Sequence, residues 1–220
     1  MDSQQAAEHL EVIRTLMERS AIYRRALAPV MTLAGTLGIF GALAGWLLHF
    51  ESPFAFSAYW LVIGILTAIS AFLLVRQQAV KQREEFWSPP TRRVVHAMLP
   101  ALLIGFLLGV VVVIAEWKNG AADWTAVAPV VDLTWLPLSW ILLYGCALHA
   151  AGFFTPRGLR WFGWLYLLAG SVVLIAWSLF GMRSARPQLT GHLLMGIFFG
   201  VLHLAYGTYL SITEKRKNAT

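Results

Sequence analysis

The chain is poor in the residues that carry chemistry. A single cysteine, Cys146, stands among 220 residues, which excludes an intramolecular disulfide and any zinc or iron–sulfur centre built from several thiolates. It falls inside an apolar run, where a buried and inert thiol is expected. Charged residues make up 13% of the chain, about half the share usual in a soluble domain. None of the 11 acidic residues lies in the middle of an apolar run, and Glu51, Glu116, Asp123 and Asp132 gather where runs end. A proton- or cation-coupled transporter therefore lacks its expected midplane carboxylate, and no inverted repeat is visible. H-E-x-x-H, G-x-S-x-G and phosphate-cradling glycine loops are also missing. Ser139 and Ser171 are available to an intramembrane hydrolase, but nothing ties either to a histidine. No catalytic residue is assigned, no metal site is read, and the chain reads as non-enzymatic. The first 25 residues are polar and charged, without the short apolar core and small-residue cleavage site of a signal peptide.

Apolar residues fill the space instead, at 58% of the chain. They fall in six runs, about 27–49, 54–76, 94–115, 130–153, 161–180 and 188–211. Each is near the roughly 20 residues that cross about 30 Å of hydrocarbon. The expected fold is all-α: a polytopic membrane protein of six transmembrane helices. It divides into an amphipathic cytoplasmic or interfacial helix over 1–25, a membrane bundle over 26–212 and a basic cytoplasmic tail over 213–220. The fourth run is the least regular, because Pro129, Asp132 and Pro137 fall in its outer part and predict a kink, a break or a preceding turn.

The net charge of +6 does not point to nucleic acid, because the basic residues sort by membrane side. With the N-terminus inside, the cytoplasmic pieces hold Arg14, Arg19, Arg24 and Arg25, then Arg76, Lys81, Arg83, Arg92 and Arg93, and lastly Arg157, Arg160, Lys215, Arg216 and Lys217. That is 14 of the 17; Lys118, Arg183 and Arg186 remain outside. Both termini are thus expected in the cytoplasm. Trp46, Trp117, Trp124 and Trp135 mark the outer boundary, and Trp87 and Trp161 the inner one, while Trp60, Trp140 and Trp177 sit deeper and are expected to pack. Ala6, Leu10, Ile13, Met17 and Ala21 form an apolar stripe over 4–25, behind a cap at Asp2 or Ser3. Beside basic residues, that stripe predicts contact with anionic lipid of the inner leaflet or with the bundle's own cytoplasmic loops. The segment "RQQAVKQREEFWSPPTRR" is expected to extend the second helix into the cytoplasm as far as Pro89–Pro90.

Two features inside the runs could build a site. Small residues recur four apart: Ala34, Gly38 and Ala42; Gly41 and Gly45; Ala101, Gly105 and Gly109; Gly196 and Gly200. Such faces let membrane helices approach closely, and they also clear room for a flat ligand. Histidines stand on some of these faces. In "GHLLMGIFFGVLHLAYG", His192 and His203 lie eleven residues apart, which on an α-helix returns both to one side with Gly196, Gly200 and Gly207. By depth, His49 can face His192 in the outer half and His149 can face His203 in the inner half, with a mismatch near 6 Å in the second pair at about 1.5 Å per residue. His96 lies apart and is expected at water or headgroups.

Two readings follow. In one, glycines and histidines are packing residues of a binding, regulatory or accessory subunit that works with a membrane-protein partner or a second copy of itself, without a cofactor. In the other, His49, His149, His192 and His203 are axial ligands of b-type haem in an electron-transfer cytochrome. Under the first, Gly200→Leu is expected to cost more than His203→Ala.

The opening "AAEHLEVIRTLMERSAIYRRALAPVMTLAG", with the spans that follow, resembles a group of uncharacterised bacterial integral membrane proteins of similar length. The resemblance implies a bacterial inner-membrane location and supplies no activity and no site residues.

Overall fold

In the computed structural model, the described residues are 26–50, 52–81, 83, 86–119, 135–155, 157–180 and 187–218. The expected N-terminal helix, Glu51, Asp123, Trp124, Asp132 and the outer part of the fourth run lie outside them. Helices α1 (Ala26–Leu47), α2 (Pro53–Lys81), α3 (Pro89–Asn119), α4 (Trp135–Ala151) and α5 (Arg157–Phe180) follow in order. The last helix has three parts: α6 (Pro187–Met195), a π-helical segment (Gly196–Leu202) and α7 (His203–Asn218). All the described elements are helical, and five helices are long and apolar enough to cross a membrane. The sixth, α4, has 17 residues, about 25 Å at 1.5 Å per residue.

Proline explains two boundaries. Pro137 lies in the first turn of α4, where its missing N–H removes no helical bond. Pro89 and Pro90 open α3 rather than closing an extension of α2. The expected cytoplasmic extension stops at Lys81 instead, and Arg83 takes a left-handed φ of 55°. The same proline chemistry that was expected to end one helix therefore begins the next. At the other end of the chain, α7 runs on to Asn218, so the basic tail continues the last helix.

The outer surface is that of a molecule in hydrocarbon. Phe40, Ile65, Leu103, Val111 and Leu168 are all exposed on the spans, which water would penalise and acyl chains accept. Hydroxyls on these helices, such as Thr36, Thr67 and Ser178, donate back to the carbonyl four residues earlier and so need no water. Cys146 also lies on the exposed surface. The expectation that it is buried fails because the protein's packed face on α4 carries Gly145, Ala147 and Leu148 instead.

Two antiparallel seams build the interior. Along α1 and the last helix, Ala28 and Thr32 meet Gly207, Gly35 meets Leu204, Gly38 meets Phe199 and Gly200, Ala42 meets Gly196, and Gly45 meets His192. Along α4 and α5, Gly170 meets Ile141, Gly145 meets Tyr166, and Gly163 meets the backbone at His149. At Gly38 an added Cβ would strike the Phe199 carbonyl, so the seam closes only because a hydrogen stands there. Gly41, by contrast, opens toward Trp60 and Ile63 of α2, and Gly105 and Gly109 receive Trp140 of α4. On α3 the neighbours of these glycines are the Trp140 indole and, at Gly109, Leu61 of α2, rather than another small face.

Candidate functional site

The polar interior is organised around the two histidines of the last helix, each about 1% exposed. They do not share a face. A π turn accommodates one residue more than an α turn, so the eleven-residue separation acts as ten. Ten residues at about 100° leave the rings roughly 80° apart. His192 therefore turns to α1 and α2, and His203 to α4 and α5.

His192 sits against Gly45, with Phe56, Tyr59 and Trp60 ringing it at centroid distances of 4.9, 6.1 and 6.0 Å. Trp60 Nε1 donates to Nδ1 at 3.0 Å. Indole N–H is only a donor, so Nδ1 is the acceptor and the proton rests on Nε2, which donates to the Phe50 carbonyl at 3.3 Å. Beside this ring, Tyr59 donates its hydroxyl to the Gly41 carbonyl at 2.7 Å, and buried Ser57 donates to the Gly109 carbonyl at 2.9 Å.

His203 is enclosed by Tyr144, Phe162, Tyr166 and Phe199. Its two nitrogens meet two tyrosines: Nε2 lies 2.8 Å from the Tyr144 hydroxyl and Nδ1 lies 3.0 Å from that of Tyr166. Tyr166 donates to the Phe198 carbonyl within the π segment. With that proton committed, the consistent arrangement has Nδ1–H donating to Tyr166 oxygen and Tyr144 donating to Nε2. In their neutral forms the two imidazoles are thus opposite tautomers, with the proton on Nε2 of His192 and on Nδ1 of His203.

The other two candidate ligands stand elsewhere. His49 is exposed, in the turn beyond α1, with φ 52°. His149 packs on Phe153 and Trp164 at 5.3 and 5.1 Å, and its buried Nδ1 has no hydrogen-bond partner. It lies five residues beyond Tyr144, about 7.5 Å further along α4, close to the axial mismatch expected from depth alone. As arranged, the ring nitrogens of His192 and His203 are already engaged, and His149 does not converge on His203. These residues do not fit an axial pair around haem without repacking. Among the described residues, no three His, Cys, Asp or Glu side chains gather to hold a metal ion. His96 is exposed, as expected.

Sequence reasoning missed the partners: Trp60, Tyr144 and Tyr166. Their signal was available only as aromatic residues with a polar tip inside apolar runs, which buried sites require to be paired. Searches against protein-family models, curated proteins and solved structures return no match for this chain.

Proposed function

We propose that the protein is a multi-pass protein of the bacterial inner membrane, with six spans and both termini in the cytoplasm. In this reading it serves as a non-enzymatic binding or accessory subunit for a membrane-protein partner or a second copy. Its inner face would contact anionic lipid. The observation that carries this reading is the engagement of both histidines of the last helix and of the glycine faces beside them. The polar groups of His192 and His203 are taken up by Trp60, Phe50, Tyr144 and Tyr166, and the glycine faces are filled by neighbouring helices. These two histidines are thereby used to hold the bundle, and this reading assigns recognition to its outer surface. The antiparallel pairing of α1 with the last helix supports an even number of crossings, and the 14-to-3 division of basic residues favours the cytoplasmic side for both ends.

The test is purification from native membranes with haem available, followed by native mass spectrometry and a visible spectrum before and after dithionite. The expected species is colourless and heavier than one chain plus detergent. A reduced-minus-oxidised haem band would overturn this reading in favour of the cytochrome. A colourless, strictly monomeric protein would remove the subunit role.

A further inference from the structure

The exposed stripes of α2 and α3 change character at one level. On α2, Ile65, Ile69 and Phe72 recur at helical spacing and are all exposed. The next residue on that face is Arg76, also exposed. On α3, Leu102, Leu99 and Val95 are exposed in the same way, and exposed Arg92 follows, with Arg93 beside it. The two helices pack antiparallel: the Ser57 hydroxyl reaches the Gly109 carbonyl, and a Cβ on Gly109 would meet Leu61. Arg76 lies 19 residues past Ser57 and 15 past Leu61, which sets it level with residues 90–94 of α3. Both stripes therefore turn from apolar to basic at the same depth.

The turn between the helices folds back onto this level instead of standing clear of it. Phe72 lies nine residues before the end of α2 at Lys81, about 13 Å along the axis. Phe86, beyond that end, nevertheless packs edge-to-face against it, with 4.8 Å between ring centroids. Trp87 follows at 6.1 Å from Phe86 and is exposed. Arg92 Nε donates to the Trp87 carbonyl at 3.3 Å, which ties a guanidinium to the aromatic turn. Aromatic rings of this kind settle at the headgroup level of a bilayer, and a guanidinium matches a phosphate through paired N–H donors. Residues 76–93 hold five basic side chains against two acidic ones, Glu84 and Glu85, so this end favours an anion. A soluble phosphate would have no use for the rings on the hydrocarbon-facing stripe. A phospholipid uses both.

We propose that this end of the α2–α3 hairpin binds an anionic phospholipid. Its phosphate meets Arg76, Arg92 and Arg93, and its glycerol and upper acyl chains lie against Phe72, Phe86 and Trp87. The assignment of that lipid to the inner leaflet rests on the topology and inner-face lipid contact proposed above.

The probes are phosphatidylglycerol and phosphatidylcholine with the same acyl chains, titrated into the full-length protein in detergent and read by native mass spectrometry. Phosphatidylglycerol should be retained in preference. The combined variant Arg76→Gln, Arg92→Gln and Arg93→Gln should lose that preference by roughly fivefold for each arginine removed. A preference that the variant keeps would overturn this site while leaving anionic lipid contact elsewhere on the inner face. Equal retention of both lipids by the unmodified protein would remove the site and the inner-face contact together. Displacement of phosphatidylglycerol by inorganic phosphate, but not by chloride at equal ionic strength, would reassign the arginines to a soluble phosphate and overturn the lipid site. Should the variant fail to fold, phosphatidylglycerol carrying a photoactivatable diazirine can be crosslinked to the unmodified protein. It should label the peptides of residues 72–93, and labelling confined to other peptides would overturn the proposal.

Discussion

At the scale of single residues, two glycines in apolar helices should respond in opposite ways to the same added methyl. Gly38→Ala drives a Cβ into the Phe199 carbonyl, a backbone atom that cannot turn aside. A loss of about 1–3 kcal/mol is expected, as for overpacking elsewhere. Gly64, on α2, has nothing within 4 Å of an added Cβ, so Gly64→Ala should be neutral or slightly stabilising. Unfolding midpoints of both variants in one detergent check the pair, and equal losses would contradict the seam. The structure also changes the expectation for His203→Ala. From sequence it ranks below Gly200→Leu, because interhelical hydrogen bonds in membranes average about 0.6 kcal/mol. The ring is enclosed by four aromatic side chains, however, and its loss also strands the Tyr144 hydroxyl. A cost of about 2–5 kcal/mol, the large-to-small range, is therefore expected, comparable to or above Gly200→Leu. The histidines themselves were legible in the sequence as polar residues on a crowded helix. Their bonds were not, because Trp60 and Tyr144 lie 132 and 59 residues away from them in the chain.

At the scale of elements, the last helix shows why periodicity alone misplaced His203. The α-helical period is correct on either side of residues 196–202, and the error arises entirely within that π segment. A π turn behaves as an α-helix with one residue inserted, so removing one residue should restore a plain helix without rotating its two halves. Deleting Val201, which is 51% exposed, should therefore leave His192 against Gly45 and His203 between its tyrosines. Deleting Leu168, 60% exposed on α5, has no such slack. It rotates one half of α5 by about 100° relative to the other, separating the contacts at Gly170 from those at Tyr166. Folded yield and melting temperature should fall sharply for the second deletion and little for the first. Equal damage would show that the segment is not a single inserted residue. The positions of five long apolar helices were legible because length and hydropathy are local properties. The join between α2 and α3 was not, since Pro89–Pro90 can either end a helix or begin one, and only the chain that follows decides.

At the scale of the whole molecule, two independent lines support the side of the membrane proposed for each loop. Antiparallel contact between α1 and the last helix sets Ala28 beside Gly207 and Gly45 beside His192, so the start of the first span and the end of the last share a side. The α3–α4 and α4–α5 pairings do the same locally: Trp140 reaches Gly105, and Gly145 meets Tyr166. Helix α4 is short, at 17 residues, yet it is clasped along its length by both neighbours. About 25 Å of helix crosses if its ends lie slightly within the hydrocarbon, since local thinning costs only fractions of a kcal/mol per Å. Charge then selects which side is which. Basic residues near span ends resist translocation, and the loop containing Arg83 together with Arg92 and Arg93 holds the densest set between spans. Reporter fusions at Ser88 and Thr155 should therefore report cytoplasm, and those at Asn119 and Ser184 the outer side. If α4 failed to cross, Ser88 would remain inside while Thr155 moved to the side of Asn119. If the charge argument failed, all four reporters would invert together. The pattern of the four readings thus separates an error in the number of crossings from an error in their direction.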